Sequence, residues 1–409
     1  MTSSRSIRKP GRAAMHKGDV YTDEILVYAD PHSGRQVVRL TDYPGHSNHL
    51  YFTDPCWFNE GRSFVFTSDR GGHSNLFRYD LDTYKATQLT ELQGKSIENE
   101  RVFDHRPAGA YSAVNHKHYY WWQNGLYELD VDTCAERLVY QAPPDKILGI
   151  HGITSADGRY VCNMMRDPVA EEDALAISYP YSHFPLLYPG KPLTQLIRVD
   201  VQTGAMEVIH EDRRFMTHVN LSPTMPDILT FCHEGPWQSV EQRIWGLNIQ
   251  TGETWKIRPQ DEDNFAIGHE YWFTDGEHIG YHGRPRDGQG EHVFGYIKWD
   301  NSEHVEVRFP FHSFHFASNG YEMIVGDGTR VFSNPDEPFI QLFKWDGQRY
   351  MGPRILAMHR STCNGQHAHC HPRFTPDGRY VLYTSDLTGY ANMYLVEVGD
   401  FEDLPQLEK

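Results

Sequence analysis

Short apolar runs alternate with polar turns along nearly the whole chain, and the three-to-four spacing of an amphipathic helix is almost absent. A turn signature recurs as FTPDG (374–378), TSADG (154–158), FTDG (273–276), FNEG (58–61), ASNG (317–320) and a looser LSPTMPD (221–227). Each turn follows a short apolar stretch and precedes a β-rich run such as RSFVFTSD, RYVLYTSD or EHIGYHG. A further strand then ends in a second turn, as in LYELDVDT and LIRVDVQTG. The repeat is near 45–60 residues with about four strands in each unit, which predicts an all-β, seven-bladed β-propeller rather than a helical solenoid. Units begin near residues 46, 100, 148, 216, 267, 311 and 365, and the second carries PAG where the turn should be. The last unit runs out after MYLVEV, while EILVYADPHSGRQVVRLT near the start reads as the closing strands of a blade. N-terminal strands are therefore expected to complete the C-terminal blade, which removes the exposed sheet edges. The expected organisation is a flexible tail over 1–19 and one propeller domain over 20–409, with loops inserted at 167–193 and 284–292.

Composition narrows the function classes. Across 409 residues, 39% are hydrophobic and 13% aromatic, enough for a real core. The formal net charge of −17 argues against general affinity for nucleic acid or an anionic membrane, and it means that any polyanionic ligand needs a locally positive site. No stretch approaches the ~20 apolar residues of a membrane span, and the basic N-terminus lacks the apolar run of a secretory signal. Six scattered cysteines without a CxxC pair suit a reducing compartment, so the expectation is a soluble cytoplasmic protein.

The 24 histidines are not spread at random. In a propeller the first strand of each blade lines a central channel. His151, His218, His269 and His371 fall at one place ahead of the turn in four units, and His369 and His315 share their parity, so all six are expected on one face. His49 lies on the way into the first unit. A single channel histidine is more often a hydrogen-bonded filler than a ligand, but six in one register across five units weaken that explanation. Imidazoles with an amide or carboxylate suit Mn, Fe, Ni or Zn, and the missing CxxC argues against a closed structural zinc site. Gln366 has the opposite parity to His369 and His371, so it joins them only if the chain bends there. Tyr119, Trp121 and Trp122 are expected in blade packing, the acidic run 171–176 on a solvated face, and Trp237 either on a sugar or between blades.

The segments GHSNHLYFT, CHEGPW (232–237), QRIWGLN (242–248), GHEYWFTDG (268–276), HFASNGYEMIVGDG (315–328) and QHAHCHPRFTPDG, taken in order, resemble the oligogalacturonate lyases, polysaccharide lyase family 22. The resemblance runs from about residue 20 onward. It implies a divalent metal, usually Mn²⁺, held by Gln366, His369, His371 and a further histidine. That fourth ligand is carried to His315, with His312 competing. It implies a catalytic histidine base with a nearby arginine, placed at His269 and Arg243, with His233 the main alternative for the base. His49, His151, His218 and His233 are then expected to contact substrate. The implied reaction is β-elimination on short (di- or tri-) galacturonides, giving a product unsaturated between C4 and C5. Other classes make different demands. An interaction scaffold of the TolB or WD40 kind leaves the in-register histidines unexplained. The propeller of a serine peptidase needs a GxSxG domain, and a metal-dependent hydrolase would want a carboxylate base such as Glu234 or Glu270.

Overall fold

In the computed structural model the described residues are 15–94, 107–149, 151–169, 184–261, 264–309, 313–328 and 338–407. Among the described residues seven antiparallel sheets follow one another along the chain, and apart from the N-terminal strands added to the first and seventh each runs in sequence order, as a seven-bladed propeller requires. The second blade is the plainest, with Ala108–Ser112, Lys117–Trp122, Gly125–Asp130 and Glu136–Gln141 ordered from the channel outward.

The turns form where their chemistry demands. Gly61, Gly158, Gly276 and Gly378 close the recurring signature at φ between 71° and 82°, a conformation in which a Cβ would be strained. In the second turns the side chains of Asp130, Asp200 and Asn248 each accept hydrogen bonds from the amides two and three residues on. Alternation along the strands puts apolar side chains between neighbouring blades. One core cluster joins Phe64, Phe66 and Tyr79 of the first blade to Tyr120 and Trp122 of the second and Leu382 and Met393 of the seventh. Tyr119, Trp121 and Trp122 are buried blade packing, as expected.

The ring closes as the sequence predicts. Gln36–Arg39 pairs with Asn392–Glu397 in the register Val37↔Val396, Val38↔Leu395 and Arg39↔Tyr394, and Leu26–Ala29 forms the outer edge of that seventh blade. Two features depart from expectation. Val20–Tyr21 pairs with Lys85–Gln88 on the outside of the first blade. The insertion over 167–193 contains a short helix, Phe184–Gly190, because Leu187 is drawn into a core with Met164, Phe215 and Met216. The acidic run 171–176 and His312 lie outside the described residues.

The inner strands are unlike the rest. In the third blade the strand breaks into Ile147–Leu148 and Ile153–Thr154. In the fourth and fifth blades register shifts fall between Thr217 and Asn220 and between Gly268 and Tyr271. In the seventh only Arg373–Phe374 remains as strand. The inner strand of the second blade, the one without a candidate histidine, pairs over five residues without a break or register shift. A bulge re-aims a side chain that the pleat would otherwise send elsewhere.

Candidate active site

Those irregularities sit at the histidines. His218, His269 and His371 occupy equivalent places in three blades and have φ of 49°, 53° and 41°. Left-handed backbone at a residue with a Cβ costs on the order of 1–3 kcal/mol and persists only where the surroundings enforce it. The one common face that parity predicts for His369 and His371 therefore does not come from a regular strand. Gln366–Ala368 forms a single 3₁₀ turn, and the strand starts only at Arg373. The turn supplies the bend that Gln366 needs, and Gln366 lines one cavity with His369, His371, His49 and His151. His367 is turned aside and packs on His46 with ring centroids 4.0 Å apart.

His315, His369 and His371 converge so that one ligand atom from each lies within 4.8 Å of the others. All three are buried. His315 is held by Asp327, whose carboxylate accepts from the backbone amide (2.8 Å) and sits 2.7 Å from Nδ1. Nδ1 of His369 and Nε2 of His371 are buried without a hydrogen-bond partner among the described residues. Leaving a buried polar atom unpaired costs about 1–3 kcal/mol, so these two nitrogens are explained by a ligand they would bind. Burial, reinforced by the neighbouring His315, pushes the pKa of His369 down to about 3 and that of His371 well below its ordinary value. Neutral imidazoles are the form that binds a metal. The donor set fits a divalent transition metal with positions left open.

His269 faces the same cluster, its ring centroid 4.7 Å from that of His315. Its Nδ1 lies 2.9 Å from Nε2 of His282, which orients the ring, and Trp237 packs edge-on at 5.0 Å. Burial first, then His315, His282 and Arg243, hold His269 well below its usual pKa, so the ring is neutral. Arg243 lies behind it, fully buried, with Nη1 2.6 Å from Glu234 and Nε 3.2 Å from Glu270. Both atoms are taken by carboxylates, so the guanidinium sits behind the wall as a fixed charge. Glu234 also reaches Nε2 of His218 at 3.2 Å.

On the opposite side, Tyr51 brings the remaining groups together. Its ring lies 4.9 Å from both His151 and His371, and 6.0 Å from His218. His151 Nδ1 is 2.8 Å from Asp54, and His49 is seated between the carbonyls of Leu50 (2.7 Å) and Cys370 (3.2 Å). His233 does not join them. It packs against Trp245 and Phe231, and burial first, then Arg214, pushes its pKa down to about 4. Sequence reasoning missed Tyr51, Asp54, Asp327 and His282. They come from loops or second strands, where spacing carries no mark of the channel.

The family model for oligogalacturonate lyase matches residues 15–401. An oligogalacturonide lyase of Pectobacterium atrosepticum is 29% identical over 94% of this chain and 99% of its own, and an oligogalacturonate lyase of Dickeya dadantii is 26% identical over the same shares. A solved oligogalacturonate lyase in complex with manganese superposes with a TM-score of 0.81 at 25% identity, covering 96% of this chain and 99% of its own. One from Vibrio parahaemolyticus gives 0.80 at 25% identity, covering 94% and 99%. With the fold, the imidazole cluster and these matches in agreement, the chain belongs to the oligogalacturonate lyase family.

Proposed function

We propose that the protein cleaves short galacturonides, two or three residues long, by metal-dependent β-elimination, with Mn²⁺ as its metal. His315, His369, His371 and Gln366 would hold the ion, and His269 would be the base. The observation that carries this reading is the pair of orphaned nitrogens on His369 and His371 beside a neutral, oriented His269.

The chemistry asks for these groups. The proton at C5, next to the uronate carboxylate, is a very weak acid, and its removal builds negative charge on that carboxylate. When bound, a divalent ion supplies Lewis-acid stabilisation of that charge, worth several kcal/mol. His269 accepts the C5 proton on Nε2, because Nδ1 is engaged with His282. The charge of Arg243, fixed behind the wall by Glu234 and Glu270, helps keep His269 unprotonated, the state a base must have. With its Nη1 and Nε already paired, Arg243 acts through its charge and not by bidentate contact with substrate. His49, His151 and His218 contact the sugar from the remaining wall, and the position of His233 supports only a packing role.

The first experiment follows the ultraviolet absorbance of the unsaturated uronate, using digalacturonate and Mn²⁺, with and without a chelator. A rise that the chelator abolishes and Mn²⁺ restores is the expected result. In the same assay His269→Ala should lose about 10²–10⁴-fold in kcat, as expected for loss of a general base, with metal content unchanged. Full activity in that variant would move the base elsewhere.

A further inference from the structure

The reaction needs a second proton transfer, and His269 is badly placed to provide it. In a galacturonide the C5 hydrogen and the C4 oxygen project from opposite faces of the ring. A base on one wall of the channel therefore leaves the departing oxygen to a donor on another. That oxygen is a sugar alkoxide, a poor leaving group without a proton.

We propose that His151, oriented by the buried carboxylate of Asp54, is the proton donor to the departing glycosidic oxygen. This rests on the lyase reading above. Three observations single out His151. His269, on the fifth blade, is ringed by Trp237, His282, Phe314 and His315, whereas His151, on the third, lies on a separate wall and meets Tyr51 of the first blade, whose ring also faces His371. Asp54 is fully buried, and among the described residues its one ion-pair partner is His151 at 2.8 Å. A buried carboxylate is costly unless a donor faces it, so the pairing fixes the His151 ring with Nδ1 on Asp54. The loop is also built to hold this geometry. Arg373 donates to the carbonyls of Tyr51 (3.3 Å) and Asp54 (2.9 Å), and the Asp54 amide donates to the Tyr51 carbonyl at 2.8 Å.

With Nδ1 on Asp54, Nε2 of His151 is the atom that exchanges a proton with the channel. As His269 takes the C5 proton, the C5–H electrons become the C4–C5 π bond. The C4–O pair leaves on oxygen, and Nε2–H of His151 protonates it. His269 then loses its proton to water and His151 regains one, so the cycle closes with no net change. The competing pair, His218 and Glu234, is less suited, because Arg243 already neutralises that carboxylate at 2.6 Å.

A donor is recognised by its dependence on the leaving group. His151→Gln and Asp54→Asn would be assayed on digalacturonate and on a galacturonate carrying a nitrophenyl ether at C4, whose phenolate leaves without a proton. On digalacturonate His151→Gln should lose about 10²–10⁴-fold in kcat, with KM within a few-fold, and Asp54→Asn should show a smaller loss in the same direction. On the nitrophenyl ether the fractional loss in kcat should be at least about tenfold smaller for both variants than on digalacturonate, and thermal melts like the parent's show that they fold. Equal fractional losses on the two substrates would overturn the proposal in favour of a positioning role. Leaving-group dependence in His218→Gln but not in His151→Gln would assign the donor to His218. A parent protein that turns over neither substrate would sink the lyase reading itself.

Discussion

At the scale of single residues, each group in the site is placed by a partner. His315 faces the cluster because Asp327 holds both its amide and its ring, so Asp327→Asn should weaken metal binding about 10–100-fold, the usual cost of losing a carboxylate behind a metal-bound histidine. His371→Ala should lose both metal and turnover. Metal analysis of the purified variants checks both outcomes, and full metal content in His371→Ala would undo the ligand assignment. The histidines themselves were legible in the sequence because they recur at one place in the repeat. Their partners were not: Asp54 lies in a loop of the first blade yet orients a histidine of the third.

At the scale of elements, the bulged inner strands carry the function. Gly268 sits beside the bulge of the fifth blade, where an added Cβ would lie 2.4 Å from the Trp237 ring. Gly268→Ala should therefore displace Trp237 from His269, destabilising the protein by about 1–3 kcal/mol and lowering kcat more than it raises KM. Thermal melts and steady-state kinetics test this together. Glu234 joins the fourth and fifth blades through Arg243. Burial alone would raise its pKa; the Arg243 guanidinium, with His218, outweighs that and holds it at about 2 against an ordinary 4.5. A lowered folded-state pKa stabilises above the unfolded value, so this contribution is complete above pH 4.5 and is lost as pH falls toward 2. Glu234→Gln should flatten the stability–pH curve in that window and cost about 3 kcal/mol at neutral pH, because Arg243 loses a partner in the interior. A variant with the parent's acid profile would remove Glu234 from that role.

For the whole molecule, the candidate ligands come from the sixth blade (His315) and from the seventh (Gln366, His369, His371), the sheet that closes the ring. A bound ion would tie these blades together near the closure. Its removal by a chelator should lower Tm, and metal at 100 times its Kd should restore about 2.7 kcal/mol. Differential scanning calorimetry with and without Mn²⁺ measures this, and an unchanged Tm would separate the cluster from metal binding. The same arrangement addresses the net charge of −17. A divalent ion, the Arg243 charge and a protonated His151 would concentrate positive potential in one channel of an acidic protein.

What the sequence alone determined was whatever repeats. Strand alternation, turn glycines and the returning histidine specify seven blades, their closure and the residues that reach the channel, because each is a local pattern written several times. Tertiary structure decided how those histidines are used. The period of two predicts one common face, but positive φ at His218, His269 and His371 re-aims them individually, and the turn at Gln366–Ala368 swings Gln366 in while sending His367 out. It also removed His233 from the site and bound Arg243 between Glu234 and Glu270. Those outcomes depend on contacts between blades far apart in the chain, and such contacts leave no periodic trace in the order of residues.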